Sequence, residues 1–223
     1  LVSFLNISFY ILYHSLISPA HTRICCSPNL LPKHERHPVI KICSEMIVGV
    51  TSPLNRVHEI LKRMQDHVHH VESLKMCCGV LAILSREEAN KLLIARDGMR
   101  LLCSIMEQHL ARADLLEAAC DLLWSLAFNN PLLKEVIGRQ GGIPAIVKGM
   151  RIHPTSADFL KSACGALSNM CQNAQNQTVI AAHGGVPCLL QVLHNHRTNV
   201  VLVPFVFDAL ASLIVGNAEN ARQ

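Results

Sequence analysis

A repeat with a period near 43 residues organises most of this 223-residue chain. Four segments of eleven residues share one apolar pattern, and they span 74–84, 116–126, 160–170 and 203–213. Their fifth residues, Cys78, Cys120, Cys164 and Phe207, are 42, 44 and 43 positions apart. Self-similarity at a fixed period of roughly 20–50 residues is the signature of repeat proteins. The period therefore predicts stacked similar units.

Each eleven-residue segment is predicted to be a helix, because its apolar residues fall at i, i+3, i+4, i+7 and i+10. Glycine landmarks keep the same period between these segments, at Asp97-Gly98-Met99, Gly141-Gly142 and Gly184-Gly185. Each glycine pair is predicted to end a short helix, over 132–139 and over 177–183. A helix end of this kind needs a residue in the left-handed conformation, so Gly185 is expected to have positive φ.

A middle helix is predicted to follow each glycine landmark, over 143–150 and 186–193, with 99–108 as the earlier copy. Pro144 and Pro187 lie in its first turn, where a missing amide hydrogen costs nothing. Each repeat is thus one short helix and two longer ones. Apolar residues such as Val80 and Leu122 continue around the segments beyond a single stripe, which is typical of helices buried between neighbours. Stacking of the repeats into a solenoid would cover them.

The motifs in 163–170, 173–176 and 184–190 resemble the armadillo repeat, and 141–147 repeats the second half of the pattern. The resemblance covers roughly residues 53–223. It implies an all-α fold, namely a right-handed α-solenoid of stacked three-helix armadillo-like repeats. It also implies that the third helix of each repeat, here the eleven-residue segment, lines a concave groove that binds partner proteins.

Three regions are expected along the chain. Residues 1–37 form an irregular leader, interpreted as non-native or alternatively spliced, as a signal or membrane anchor, or as an ordered cap. Residues 38–73 form a degraded N-terminal repeat. Residues 74–223 form the armadillo array, which ends within a repeat because 217–220 match 173–176. Since the first residue is Leu1, we expect a processed chain or a fragment of a longer protein.

The predicted partner-binding site is the least apolar stripe of the third helices, which contain the eleven-residue segments. We call these helices the anchor helices and the stripe the anchor-helix face. It consists of Lys75, Gly79, Glu117, Asp121, Ser125, Lys161, Gly165, Asn169, Asp208 and Ser212. Its carboxylates suit a basic extended or helical segment of a partner, and its glycines leave room for a closely approaching helix. The alternative is that these are solvated positions and that partners bind elsewhere. Nuclear-import armadillo proteins carry Trp and Asn on this stripe, whereas here only Asn169 keeps the Asn.

Other residues carry structural interpretations. Seven cysteines lie in apolar, helix-spaced runs and are predicted to be buried thiols in a reducing compartment, the cytoplasm or the nucleus. They are Cys77, Cys78, Cys103, Cys120, Cys164, Cys171 and Cys188. Trp124 is predicted to lie in the core or between repeats. His67, His69 and His70 are expected to be exposed loop residues rather than metal ligands.

The function predicted from these features is a non-catalytic scaffold for protein–protein interaction. The formal charge of +4 is spread along the chain without a basic run, which argues against nucleic acid. No phosphate-binding loop, nucleophile elbow or zinc-protease motif is present, so neither enzyme activity nor a cofactor is expected. Two alternatives remain, a regulatory module cut from a larger enzyme such as a protein kinase, and an adaptor tethered to a membrane through residues 1–17. The oligomeric state is left open.

Overall fold

A computed structural model describes the backbone of residues 53–215 and the side chains of residues 55–215. These residues belong to the compact unit Ser52–Gln223. Within this range the chain forms α-helices and no strand. The helices are α1 Pro53–Asp66, α2 Val71–Leu84, α3 Glu88–Gln108, α4 Ala113–Ala127, α5 Pro131–Arg139, α6 Gly142–Ile152, α7 Ala157–Met170, α8 Ala174–Ala182, α9 Gly185–Asn195 and α10 Leu202–Ile214. The predicted leader, the first part of the degraded repeat and the 217–220 motif lie outside the described residues.

The four eleven-residue segments lie within α2, α4, α7 and α10, which confirms the helices predicted for them. These four are the anchor helices. The short helices α5 and α8 and the middle helices α6 and α9 are also confirmed. Local chemistry explains where α5 and α8 begin, because the side chains of Asn130 and Asn173 accept hydrogen bonds from the amides of Leu133 and Asn176.

The anchor helices pack on one another in chain order, α2 on α4, α4 on α7 and α7 on α10. Apolar residues of these helices, such as Leu116, Cys120 and Leu160, are fully buried. Phe207 is instead 55% exposed, because no later helix covers that face of α10 among the described residues. This succession is compatible with an α-solenoid.

The glycine pairs supply the left-handed residue that the sequence predicts, but only the first glycine of each pair does so. Gly141 has a φ of 91° and Gly184 a φ of 71°. The positive φ expected at Gly185 is wrong, because Gly185 is the first residue of α9. Glycine is needed there for a different reason, since a Cβ atom would lie 2.9 Å from the carbonyl oxygen of Ile180.

The separate helix predicted over 99–108 is also wrong, because α3 runs unbroken from Glu88 to Gln108. The landmark Asp97-Gly98-Met99 contains one glycine and no following proline, so nothing ends the helix there. Gly98 keeps a helical backbone and is buried against α1, where an added Cβ would lie 2.5 Å from Leu61 Cδ2. The glycine therefore permits a close approach between α1 and α3.

Buried polar side chains of α3, α5 and α8 connect each repeat to the next. Lys91 Nζ donates to the carbonyl oxygen of Phe128 at 3.0 Å, and Gln177 Nε2 donates to that of Val215 at 3.2 Å. Both acceptors are the C-cap residues of anchor helices, whose last carbonyls have no partner within the helix. Lys134, which occupies the intervening position in the repeat, donates to Gln172 Oε1 at 2.6 Å, just beyond α7.

Candidate partner-binding surface

The ten residues of the anchor-helix face differ widely in exposure. Asp121 and Asp208 are exposed, whereas Gly165 and Asn169 are buried. The remaining six residues are partly exposed, namely Lys75, Gly79, Glu117, Ser125, Lys161 and Ser212. The stripe is therefore open to solvent mainly through its charged members.

The two glycines of this face are not equivalent. No atom lies within 4 Å of the position that a Cβ at Gly79 would take, so the surface there has room for a neighbour. At Gly165 the same position lies 2.9 Å from three ring atoms of Trp124. The space predicted for a partner helix at Gly165 is thus already filled by an indole ring from α4.

Trp124 connects three anchor helices and is partly exposed. Its ring lies over Gly165 of α7 and meets the ring of Phe205 of α10 edge-on, with centroids 5.5 Å apart and an interplanar angle of 88°. Asn169 Nδ2 donates to the carbonyl oxygen of Trp124 at 3.2 Å, so this amide is engaged within the protein. The position in the core or between repeats predicted for Trp124 is confirmed, and the ring covers Gly165 of the anchor-helix face.

Two hydroxyl groups of the face are also used between neighbouring anchor helices. Ser125 Oγ lies 2.6 Å from Ser85 Oγ, and Ser212 Oγ lies 3.5 Å from Ser168 Oγ. These contacts hold the C-terminal ends of successive anchor helices together. Ser125 and Ser212 therefore contribute to stacking.

Charges near the start of α2 and α4 neutralise one another. Lys75 Nζ lies 2.9 Å from Asp114 Oδ2 and 3.4 Å from Glu72 Oε2, while the Arg112 guanidinium contacts both oxygens of Asp114. The hydrogen bonds from Arg112, followed by those from Lys75, hold the pKa of Asp114 well below its usual range. This end of the face has its positive and negative charges in balance.

Further along the face negative charge dominates. The pKa of Glu117 is raised, first by burial and then by the charges of Asp121 and Asp158, and the lysines Lys75 and Lys161 offset this only in part. Asp208 is exposed as a residue, but partial shielding of its carboxyl from water raises its pKa. A cation placed against these carboxylates would lower the free energy of their charged forms.

The remaining predicted sites are structural. His67, His69 and His70 are exposed as expected, and His70 Nδ1 accepts from the amide of Ser73 at the start of α2. Among residues 55–215 no three His, Cys, Asp or Glu side chains converge on a position that could hold a metal ion. No helix within the described range is long and apolar enough to cross a bilayer.

The seven cysteines that the sequence places in helical runs are all buried and free of disulfides, so their predicted burial is confirmed. Burial raises the pKa of Cys77 and of Cys103 to about 11. A thiol with so high a pKa is protonated at neutral pH and is a poor nucleophile. These cysteines act as small apolar residues between the helices.

Two curated relatives match part of the chain. It is 34% identical over 107 residues to Protein aardvark of Dictyostelium discoideum, a match that covers 43% of this chain and 14% of that protein. It is 35% identical over 85 residues to Splicing regulator ARVCF of Rattus norvegicus, with 37% of this chain and 8% of that protein covered. Both relatives are armadillo-repeat proteins, which supports the resemblance seen in the sequence.

Those matches span a small part of each relative, so they describe a region rather than a whole protein. No protein-family model matches the chain. No solved structure matches it either. The relatives suggest a role in protein interaction.

Proposed function

We propose that this chain is a non-catalytic armadillo-type scaffold that binds a basic segment of a partner protein along its anchor-helix face. In this proposal the stacked repeats form a right-handed α-solenoid, and the face lines its concave groove. The observation that supports the proposal is the ordered contact of α2, α4, α7 and α10, an arrangement in which stripes on successive helices would lie side by side. Such succession is the way in which repeat proteins build extended recognition surfaces.

Charge supports a basic partner. The whole chain has a formal charge of +4, yet the four anchor helices carry six acidic residues and two lysines. The acidic residues are Glu72, Asp114, Glu117, Asp121, Asp158 and Asp208. These helices are therefore net acidic within a chain that is net basic. Opposite charge steers a partner to one face and suppresses wrong partners.

The proposed location is the cytoplasm or the nucleus. All seven cysteines of the described residues are free thiols, and several lie within apolar contacts of the anchor helices. Reducing compartments keep such thiols unpaired. The armadillo-repeat relatives support a protein as the partner. The charge pattern favours a partner segment rich in lysine or arginine.

Charge reversal tests the proposal. The 223-residue chain and its variant Asp121→Arg plus Asp208→Arg are titrated with a fluorescein-labelled nonapeptide carrying three arginines and with a glutamate counterpart. We expect the wild type to prefer the basic peptide and the variant to bind it at least about tenfold more weakly, because reversed charges repel the peptide.

A matched control separates local charge from net charge. The variant Glu59→Arg plus Asp66→Arg makes the same change on exposed positions of α1, which is not an anchor helix. It is expected to bind the basic peptide within about twofold of wild type, because the carboxylates of the anchor-helix face are unchanged and exposed charges elsewhere are screened by salt. Equal loss in both variants, or no preference for the basic peptide, would contradict the proposal.

A further inference from the structure

The part of the anchor-helix face around Trp124 combines an aromatic surface with carboxylates. One face of the indole ring rests on Gly165, where a Cβ atom would lie 2.9 Å from three ring atoms. The ring meets Phe205 at right angles, and Trp124 remains partly exposed while Phe205 is 7% exposed. Contacts with α7 and α10 therefore hold the ring in place, and Trp124 as a residue is partly exposed.

Each of the two aromatic residues has an exposed carboxylate one helical turn away. Asp121 precedes Trp124 by three residues on α4, and Asp208 follows Phe205 by three residues on α10. Residues three apart lie on the same face of a helix. Both aspartates are exposed. Negative charge thus flanks the aromatic surface from the first and the last of the three helices that meet there.

We propose that Trp124, Asp121 and Asp208 form a subsite that holds an arginine side chain of the partner. This inference rests on the proposed function and adds the residue type that the face recognises. A guanidinium is flat and weakly hydrated, so it stacks on an indole while its fork of donors reaches a carboxylate. A lysine ammonium gains the carboxylate attraction but lacks the planar stacking and the paired donors.

The subsite can be tested directly because Trp124 is the only tryptophan in the chain. The 223-residue protein is titrated with the three-arginine nonapeptide and with its three-lysine counterpart of identical spacing. Tryptophan emission reports contact with the ring, and calorimetry gives the affinities. We expect the arginine peptide to shift the emission and to bind about three- to tenfold more tightly than the lysine peptide.

Two variants assign the preference to the ring. Trp124→Leu is expected to lose most of the arginine preference, because stacking is lost while the charge attraction and the paired donors of the guanidinium remain. Trp124→Phe keeps an aromatic ring and is expected to retain a reduced arginine preference. The melting temperature of each variant is measured first. If Trp124→Leu is unfolded, the subsite is tested with the other two proteins. The arginine peptide must then shift the emission of the wild type, and its preference over the lysine peptide must be smaller in Trp124→Phe.

The outcomes separate this inference from the proposed function. Equal affinities for the two basic peptides with unchanged emission would overturn the arginine subsite. If the charge-reversal variant still weakened binding in that case, the proposed function would stand. Failure of both basic peptides to bind would overturn the proposed function and the subsite together. A preference for arginine that persists undiminished in Trp124→Leu would also reject the subsite.

Discussion

The imidazole Nε2 of His153 lies 2.6 Å from the carbonyl oxygen of Leu110, which is 43 residues earlier. Because a carbonyl oxygen only accepts hydrogen bonds, Nε2 carries the proton that it donates. His109 makes the same contact with Val68 at 2.7 Å, and His196 makes it with Pro154 at 2.7 Å. Each histidine is the C-cap of its helix. A periodic side chain therefore joins each repeat to the preceding one.

We expect His153→Ala to lower the free energy of unfolding by about 1–2 kcal/mol. The hydrogen bond to Leu110 contributes about 1 kcal/mol, and the edge-on contact with Phe159 adds a smaller amount. Urea unfolding followed by circular dichroism measures the change. His194→Ala is the control, because His194 is exposed on α9 and its loss is expected to cost under about 0.5 kcal/mol. Equal costs for the two variants would show that the contact does not stabilise the stack.

The same substitution at two glycines is expected to act in opposite directions. Gly141→Ala should lower the free energy of unfolding by about 1 kcal/mol, because Gly141 has a φ of 91° although no atom lies within 4 Å of its Cβ position. Gly79→Ala should raise the free energy of unfolding by about 0.5–1 kcal/mol. Gly79 is a helical residue of α2, and no atom would contact the added Cβ within 4 Å. Thermal unfolding of both variants checks the signs.

Gly141→Asn gives a control for the cause of the Gly141 effect. Asparagine tolerates the left-handed region better than alanine does, so its cost should be smaller. A larger loss for asparagine than for alanine would point to a steric clash and argue against the backbone explanation.

The anchor helices and the helices α5, α6, α8 and α9 could be predicted from the sequence because local chemistry specifies them, whereas the unbroken α3 could not. Apolar spacing predicts α7. The start of α8 is set by Asn173, and its end is set by Gly184. The period then orders the helices along the chain. Nothing more distant than one repeat is needed for these predictions, which is why they agree with the structure.

Features that depend on contacts between repeats could not be predicted in the same way. The glycine at Gly165 indicates free space when α7 is considered alone, and only the stacked helices show that Trp124 fills it. Gly98 resembles the turn glycines in sequence, but its close approach to Leu61 is a tertiary contact. The periodic histidines were visible in the sequence at spacings of 44 and 43, yet their carbonyl acceptors were not.

Two buried serines provide a further pair of predictions. Ser162 is 1% exposed, and its Oγ has no hydrogen-bond partner among the described residues. Ser162→Ala should therefore raise the free energy of unfolding by about 0.5–1 kcal/mol, since it removes an unsatisfied hydroxyl and introduces a better helix former. Ser85→Ala should lower it by about 1 kcal/mol, because Ser85 Oγ donates to the Ala82 carbonyl at 2.8 Å. Chemical denaturation of both variants measures the two changes in the free energy of unfolding. Changes of the same sign would contradict this account.

Asp114 is expected to stabilise the fold at neutral pH. Hydrogen bonds from Arg112 and Lys75 lower its pKa, so the folded state binds fewer protons than the unfolded state at moderately acidic pH. Its contribution is present above the unfolded pKa near about 3.9 and is lost as the pH falls towards the folded value. Because the side chain is 40% exposed, solvent screening limits the cost of Asp114→Asn to under about 1 kcal/mol at pH 7. Melting curves of variant and wild type should converge at the most acidic pH.

Glu117 is expected to behave in the opposite way. Burial and the charges of Asp121 and Asp158 raise its pKa, so the free energy of unfolding falls as the pH rises from about 4.3, the usual value, through the folded pKa. The cost grows as the pH rises, so at pH 7 Glu117→Gln should raise the melting temperature by an amount equivalent to less than about 1 kcal/mol after screening. The gain should vanish as the pH falls below about 4.3, because the folded and unfolded states then both bind the proton. The same variant should also weaken the basic peptide at pH 7, because one of the carboxylates that attract it is lost. A variant less stable than wild type at pH 7 would show that neighbouring cations already compensate this carboxylate, and it would weaken the electrostatic argument for a basic partner.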